Sequence, residues 1–295
     1  MRAAGPASAG PWRQAWERLR HSNSAALGAC LLAAIVAACA LLPPALGLDP
    51  MITDPAARNL PPSVDYPFGR DALGRDVMAR VLAGGRTSLL IGLAATASSV
   101  LIGVLVGALA GFYGGRVDEV LMRFVDFLYG VPYMFLVILV MLLFSDTARG
   151  DPLPVFLALG LVQWLTMARI VRGQVLALRG AEYVTAARAL GASDSAILAH
   201  HVLPNTLGPI IVYATLTVPT VIILESFLSF LGLGVSLSWG ELVAEGVAVI
   251  NPLRSTWWLL FWPAGFLATT LLALNFLGDG LRDALDPRGP TPNGP

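Results

Sequence analysis

Few side chains in this 295-residue chain have the type and spacing for covalent chemistry. All 19 basic side chains are arginine and lysine is absent. A phosphate-binding loop of the form G-x-x-x-x-G-K-[ST] therefore cannot be built, because its lysine must reach the nucleotide phosphates. Schiff-base chemistry on lysine is excluded as well. There is no H-E-x-x-H, no G-x-S-x-G, and no pair of carboxylates at useful spacing within an apolar segment, which argues against a membrane-embedded enzyme. The two cysteines, Cys30 and Cys39, fall in one apolar run and as helical residues would stand roughly 13 Å apart, too far to bridge. His200 and His201 are adjacent, so they point to different sides of a helix and read as surface residues. No Cys/His cluster has metal-ligand spacing. The expectation is a chain with no catalytic residue, no metal site and no bound cofactor of its own.

The elements around these residues belong to a bilayer. Hydrophobic residues make up 56% of the chain, charged residues 13%, and mean hydropathy is +0.71, whereas charged residues are about a quarter of a soluble domain. Formal net charge is zero, so the basic field that nucleic-acid binding requires is missing. Taking about 20 apolar residues per crossing, six spans are expected: Ser24 to Leu42, Ser88 to Phe112, Val120 to Phe144, Leu153 to Val171, Leu207 to Leu231, and Thr256 to Leu277. The first is preceded by Arg13, Arg18 and Arg20, but it is too long for a signal peptide's apolar region and reads as a retained anchor.

Arginine placement sets the orientation. With the N-terminus inside, Arg13, Arg18, Arg20, Arg116, Arg123, Arg172, Arg179, Arg188 and Arg282 are cytoplasmic, and an even number of crossings returns the C-terminus to the same side. The expected organisation is a cytoplasmic tail (1–23), a first transmembrane helix (24–42), an extracytoplasmic loop (43–87), a five-helix core (88–278) containing a cytoplasmic loop (172–206), and a cytoplasmic tail (279–295). The outer loop carries Asp71, Arg75, Asp76 and Arg80; its mixed charges read first as a solvated loop ending in a short amphipathic helix, and alternatively as a lip that meets another protein.

Within the spans, ionisable residues are expensive and invite functional hypotheses. Asp126 in the third span and Glu225 in the fifth are candidates for lining a watery pathway or for pairing helices, with an i,i+3 contact to Arg123 as the structural alternative for Asp126. In the second span Gly103, Gly107 and Gly111 recur every fourth residue, which marks a face where another helix backbone approaches closely.

The longest expected cytoplasmic segment, 172–206, reads as two short helices around a turn. The first runs from Glu182 to Leu190 with an acidic first turn and Gly191 as its stop. Ser193 or Asp194 caps the second, which is expected to end before Pro204.

These residues resemble the membrane subunits of ABC importers, whose cytoplasmic loop follows E-A-A-x3-G-x9-I-x-L-P. Ala186, Ala187, Gly191, Leu203 and Pro204 stand at that spacing, while Thr185 occupies the motif's glutamate position and His201 its isoleucine position. Glu182, one turn earlier, is a substitute for the missing acid. Leu73-Gly-Arg-Asp-Val, Ala110-Gly-Phe-Tyr-Gly-Gly-Arg-Val-Asp, Leu121-Met-Arg-Phe-Val-Asp, Glu225-Ser-Phe-Leu-Ser-Phe-Leu-Gly-Leu-Gly, Ser238-Trp-Gly and Asn275-Phe-Leu-Gly-Asp-Gly-Leu-Arg-Asp narrow the resemblance to the C-type permease subunits of dipeptide, oligopeptide and nickel importers. Phe68-Gly-Arg-Asp and Ser145 to Asp151 are unlike that family.

The resemblance implies an all-α integral membrane protein with the type I ABC importer permease fold, resident in the bacterial cytoplasmic (inner) membrane. It implies a partner set of a second, homologous permease subunit in a heterodimer, two ABC ATPase subunits that carry ATP and Mg, and an extracytoplasmic substrate-binding protein. In such importers the loop containing Glu182, Tyr183, Thr185, Ala186, Ala187, Gly191, Leu203 and Pro204 docks into the ATPase. The implied cargo is a di- or oligopeptide, with nickel or another small solute as the alternative. An ATP-independent channel or secondary transporter is the more distant reading.

Overall fold

The computed structural model describes residues 11–143, 152–249 and 256–286. The expected span end at Phe144, the segment from Ser145 to Asp151, and the tail beyond Asp286 lie outside the described residues. Eleven α-helices are present among the described residues, and no strand beyond an isolated bridge between Arg70 and Asp76.

The chain opens with α1 (Pro11–His21), an amphipathic helix, and α2 (Asn23–Leu46), which Ser22 caps by accepting from the Ala25 amide. Pro43 and Pro44 sit inside α2. Each proline lacks the N–H that would reach four residues back, which frees the carbonyls of Cys39 and Ala40. Arg86 takes both: its Nε donates to Cys39 O at 2.5 Å and its Nη2 to Ala40 O at 2.6 Å.

Helix α3 (Val77–Tyr113) is 37 residues long, about 55 Å at 1.5 Å per residue, against hydrocarbon of about 30 Å. It begins at Val77, eleven residues before the expected span, and is capped by Asp76, whose carboxylate accepts from the Met78 and Ala79 amides. The glycine face of α3 meets α6 (Pro152–Leu178). A Cβ on Gly103 would stand 2.5 Å from the Met167 Cβ, and one on Gly111 would stand 2.8 Å from the Arg172 carbonyl oxygen. On Gly107 it would stand 3.0 Å from the Arg172 backbone nitrogen. Backbone-to-backbone approach of this kind admits no larger side chain.

The third expected span is a correction. It is two helices, α4 (Gly115–Tyr129) and α5 (Tyr133–Leu143), bent by 86° at Gly130-Val131-Pro132. Pro132 has no amide hydrogen to continue the ladder and disfavours helical geometry at the residue before it. Among the described residues, five helices are long and apolar enough to cross a membrane, and the bent pair makes a sixth if it is one span.

After α6 come α7 (Glu182–Ala189), α8 (Asp194–Ile197), a π-helical turn (Leu198–Val202), α9 (Leu203–Phe230), α10 (Trp239–Ala248) and α11 (Trp258–Leu285). Arg18 of α1 donates to the Asp286 carbonyl at 2.9 Å, and a cavity touches Gln14, Gln174, Pro204 and Arg282 together. The ends of α1, α6 and α11 and the start of α9 therefore gather on one side, called here the loop end.

At the opposite end, residues 43–87 and α10 fold into a cap. This corrects the reading of a solvated loop. Arg80 is 4% exposed and donates to both Glu245 oxygens, at 2.5 and 3.0 Å, and to Asp71 at 3.0 Å. Arg75 adds a 2.6 Å contact to Asp71. Gly74 turns the chain at φ +74, where any Cβ would collide with the Asp54 carbonyl. Arg70 lies over the Tyr66 ring at 4.1 Å and donates to the Gly74 carbonyl at 2.5 Å. Phe68 stacks on Trp262 with centroids 4.0 Å apart. The mixed charges are thus internal pairs that tie the top of α3 to α10.

Candidate functional site

The loop between α6 and α9 is built by two capping devices. Helix α7 ends in a Schellman turn: the Ala192 amide donates to Ala187 O and the Gly191 amide to Arg188 O, the pattern that satisfies a helix's last carbonyls. Gly191 sits at φ +83, a conformation that a side chain disfavours. Ser193 then caps α8 by accepting from the Ala196 amide, and Arg188 reaches across the turn to Asp194 at 3.6 Å.

One face of this loop is held and the other is free. Val184, Ile197 and Val202 are fully buried in a cluster with Phe112, Met167, Val171 and Val175, and Ala187 and Leu203 pack at its edge. Glu182, Tyr183, Thr185, Ala186, Gly191 and Pro204 are exposed. Glu182 and Thr185 lie one turn apart on the same outward face. The Thr185 hydroxyl is turned back to the Ala181 carbonyl at 3.2 Å, so the motif's acidic position carries a threonine occupied with its own helix.

The expected end of the second helix before Pro204 is overturned. The chain runs as one helical element from Asp194 to Phe230. It accommodates Pro204 by widening: the Leu203 amide donates to Leu198 O, five residues back. The Asn205 side chain supplies a donor to His201 O at 2.6 Å. A π-turn of this kind absorbs the missing N–H without stopping the helix.

Glu225 is completely buried. Ser229 donates to its Oε1 at 2.7 Å and Ser88 of α3 lies 3.4 Å from its Oε2. The Ser88 oxygen accepts from the Trp239 amide at 3.1 Å, and Ser229 contacts Ser238, the cap of α10. One carboxyl group thereby joins α3, α9 and α10, the geometry of helix pairing within one chain. Glu225→Ala is expected to destabilise the fold by about 1–3 kcal/mol for each buried hydroxyl left unpaired. A melting midpoint in detergent equal to that of the wild type would refute this structural role.

Asp126 lies elsewhere and its partner is not Arg123, which pairs with Glu119 at 2.6 Å. Asp126 Oδ1 meets Nη2 of Arg169 at 2.6 Å, with the two side chains 64% and 43% exposed. Arg169 stacks 3.8 Å above the Tyr129 ring, whose hydroxyl hydrogen-bonds Thr166. One turn nearer the loop end, Arg172 grips Asp118 with two contacts at 2.5 and 2.6 Å. Sequence reading passed over Arg169; the signal was the polar spacing Gln163, Thr166, Arg169 along one face of an otherwise apolar helix. Among the described residues no group of three or more His, Cys, Asp or Glu side chains is placed to hold a metal.

A membrane-length helical bundle whose exposed helical loop continues unbroken into a span is the build of a transport subunit. Residues 103–289 match the family of binding-protein-dependent transport system inner membrane components, and the chain belongs to that family. Residues 10–62 match the N-terminal TM domain of oligopeptide transport permease C. The dipeptide transport system permease protein DppC of Bacillus subtilis (strain 168) is 45% identical over 280 residues, covering 94% of this chain and 85% of that one. The oligopeptide transport system permease protein OppC of Escherichia coli (strain K12) is 44% identical over 283 residues, covering 94% and 91%. An inward-facing structure of the MetNI methionine ABC transporter matches with a TM-score of 0.59 at 19% identity, over 71% of this chain and 97% of that chain. That likeness shows the fold, an ABC importer permease.

Proposed function

We propose that this chain is the C-type permease subunit of an importer for di- or oligopeptides, driven by ATP hydrolysed on partner subunits. The reading is supported by the names of its relatives and, within the chain, by one observation: the loop presents Glu182, Tyr183, Thr185 and Ala186 outward while its inner face is locked to the spans. The loop end is then cytoplasmic, both described chain ends lie there, and an ATPase groove receives α7. Ala186 permits close approach, and Gly191 holds the turn that aims α8 into α9. A second, similar permease completes the pathway as a heterodimer, two ATPase subunits bind ATP and Mg, and a binding protein delivers cargo to the cap. ATP binding shifts the spans between inward-open and outward-open packings by favouring one position of the loop.

The test is ATP-dependent uptake of radiolabelled trialanine by proteoliposomes containing the chain with its neighbouring permease, ATPases and binding protein. Uptake that requires ATP and the binding protein is the expected result. Uptake of nickel with none of peptide, or uptake by the chain alone without ATP, would overturn the assignment.

A further inference from the structure

The polar patch on α4 and α6 lies within the membrane-length part of α6. Arg169 lies about 6 Å from the midpoint of α6, and Thr166 and Gln163 lie closer still. The side chains of Asp126 and Arg169 are 64% and 43% exposed, and ionisable side chains within a span as a rule face water or protein rather than lipid. The face therefore borders water or protein. The patch also extends into a cavity of about 130 Å³ in the α4–α5 elbow, lined by Tyr129, Tyr133, Gln163 and Thr166 among others. The Tyr133 hydroxyl is buried there with no hydrogen-bond partner. A mostly apolar cavity with a few polar groups and one donor unused is suited to an oriented polar guest.

We infer that Asp126, Arg169 and the tyrosine-lined elbow beside them form a transit site for zwitterionic solutes, in which Arg169 receives the solute's carboxylate and Asp126 its ammonium group. The inference rests on the peptide-import reading given above. The resting pair is joined by a single Nη2–Oδ1 contact, so the guanidinium keeps donors free for a second carboxylate, and its plane is already oriented on Tyr129. An arriving zwitterion exchanges one ion pair for two and leaves no charge uncompensated. A bare cation would meet Arg169 as a like charge, and a solute lacking one terminal charge would strand one partner.

The experiment compares trialanine with its C-terminal amide in the reconstituted complex, with membrane abundance and assembly measured alongside. Selectivity of the binding protein is common to all variants, so the change in the free-to-amide uptake ratio between wild type and variant reports the permease. Arg169→Gln is expected to lower trialanine uptake about tenfold and to shrink that ratio, whereas Arg123→Gln, which breaks the separate pair with Glu119, should alter neither. A second measurement does not depend on the Arg169 variant folding. In a Cys30→Ser, Cys39→Ala background, Gln163→Cys should react with a membrane-impermeant thiol reagent and be protected by trialanine during turnover. Peptide uptake with an unchanged ratio in Arg169→Gln, or a Gln163→Cys that stays unreactive, overturns the transit site alone. A wild-type complex that imports no peptide overturns the peptide-import reading and this inference with it.

Discussion

Gly191→Val is expected to leave the chain in the membrane at wild-type abundance while cutting uptake by an order of magnitude and leaving ATP hydrolysis running. An added Cβ would meet nothing within 4 Å, so the fault is not a collision. It is the backbone: φ +83 costs a β-branched residue about 1–3 kcal/mol, enough to shift the population of the formed turn by roughly 5–150-fold. The turn would unwind, and with it the two amide-to-carbonyl bonds that end α7 and the Arg188–Asp194 contact. Val184, Ile197 and Val202 would still hold the loop to the spans, which is why abundance should survive. Asparagine, which tolerates the left-handed region, should be far milder than valine at this position. Abundance, hydrolysis and uptake must be read on the same preparation. Normal uptake by Gly191→Val at normal abundance would sink the coupling role.

Arg80→Ala is expected to destabilise the cap by about 3 kcal/mol, the lower part of the range for removing one partner of a buried pair. The arginine joins two carboxylates from distant parts of the chain, Asp71 and Glu245. Its loss leaves Asp71 buried but still touching Arg75, and leaves Glu245, 41% exposed on its side chain, able to take up water. Thermal unfolding in detergent measures the loss. The double variant Arg80→Ala, Glu245→Ala should be less destabilised than the sum of the singles, because each single variant already loses the Arg80–Glu245 contact. Additive effects would show that the pair contributes no mutual stabilisation.

The number and rough placement of the membrane segments were legible because apolar length is a property of local sequence. Bends and partners were not. Averaging apolar residues across Val120 to Phe144 hides the proline at 132 that folds the segment into α4 and α5. Asp76, Arg80 and Arg86 made the start of α3 look like loop, although Asp76 caps it and the two arginines are consumed by Glu245 and by the carbonyls that Pro43 and Pro44 set free. For Asp126 sequence offers Arg123 only as a local structural alternative to pathway lining or helix pairing, and the contact comes from Arg169, 43 residues on. The stop at Gly191 and the cap at Ser193 were readable from residue type, since both act on adjacent backbone. The π-turn before Pro204 was not, because a proline is normally a helix boundary and only the side chain of Asn205 and a five-residue bond reveal the exception.

If the loop couples as proposed, the unbroken element from Asp194 to Phe230 would act as a lever. Its 37 residues make an arm of about 55 Å, and in its second half Val218 and Ile222 face Gly92 of α3. Under the proposed coupling that contact would serve as a fulcrum, since glycine lets the two helices approach closely there. A push of a few ångströms at Asp194 would arrive at Phe230 with its direction reversed, so narrowing at one mouth and widening at the other become a single motion.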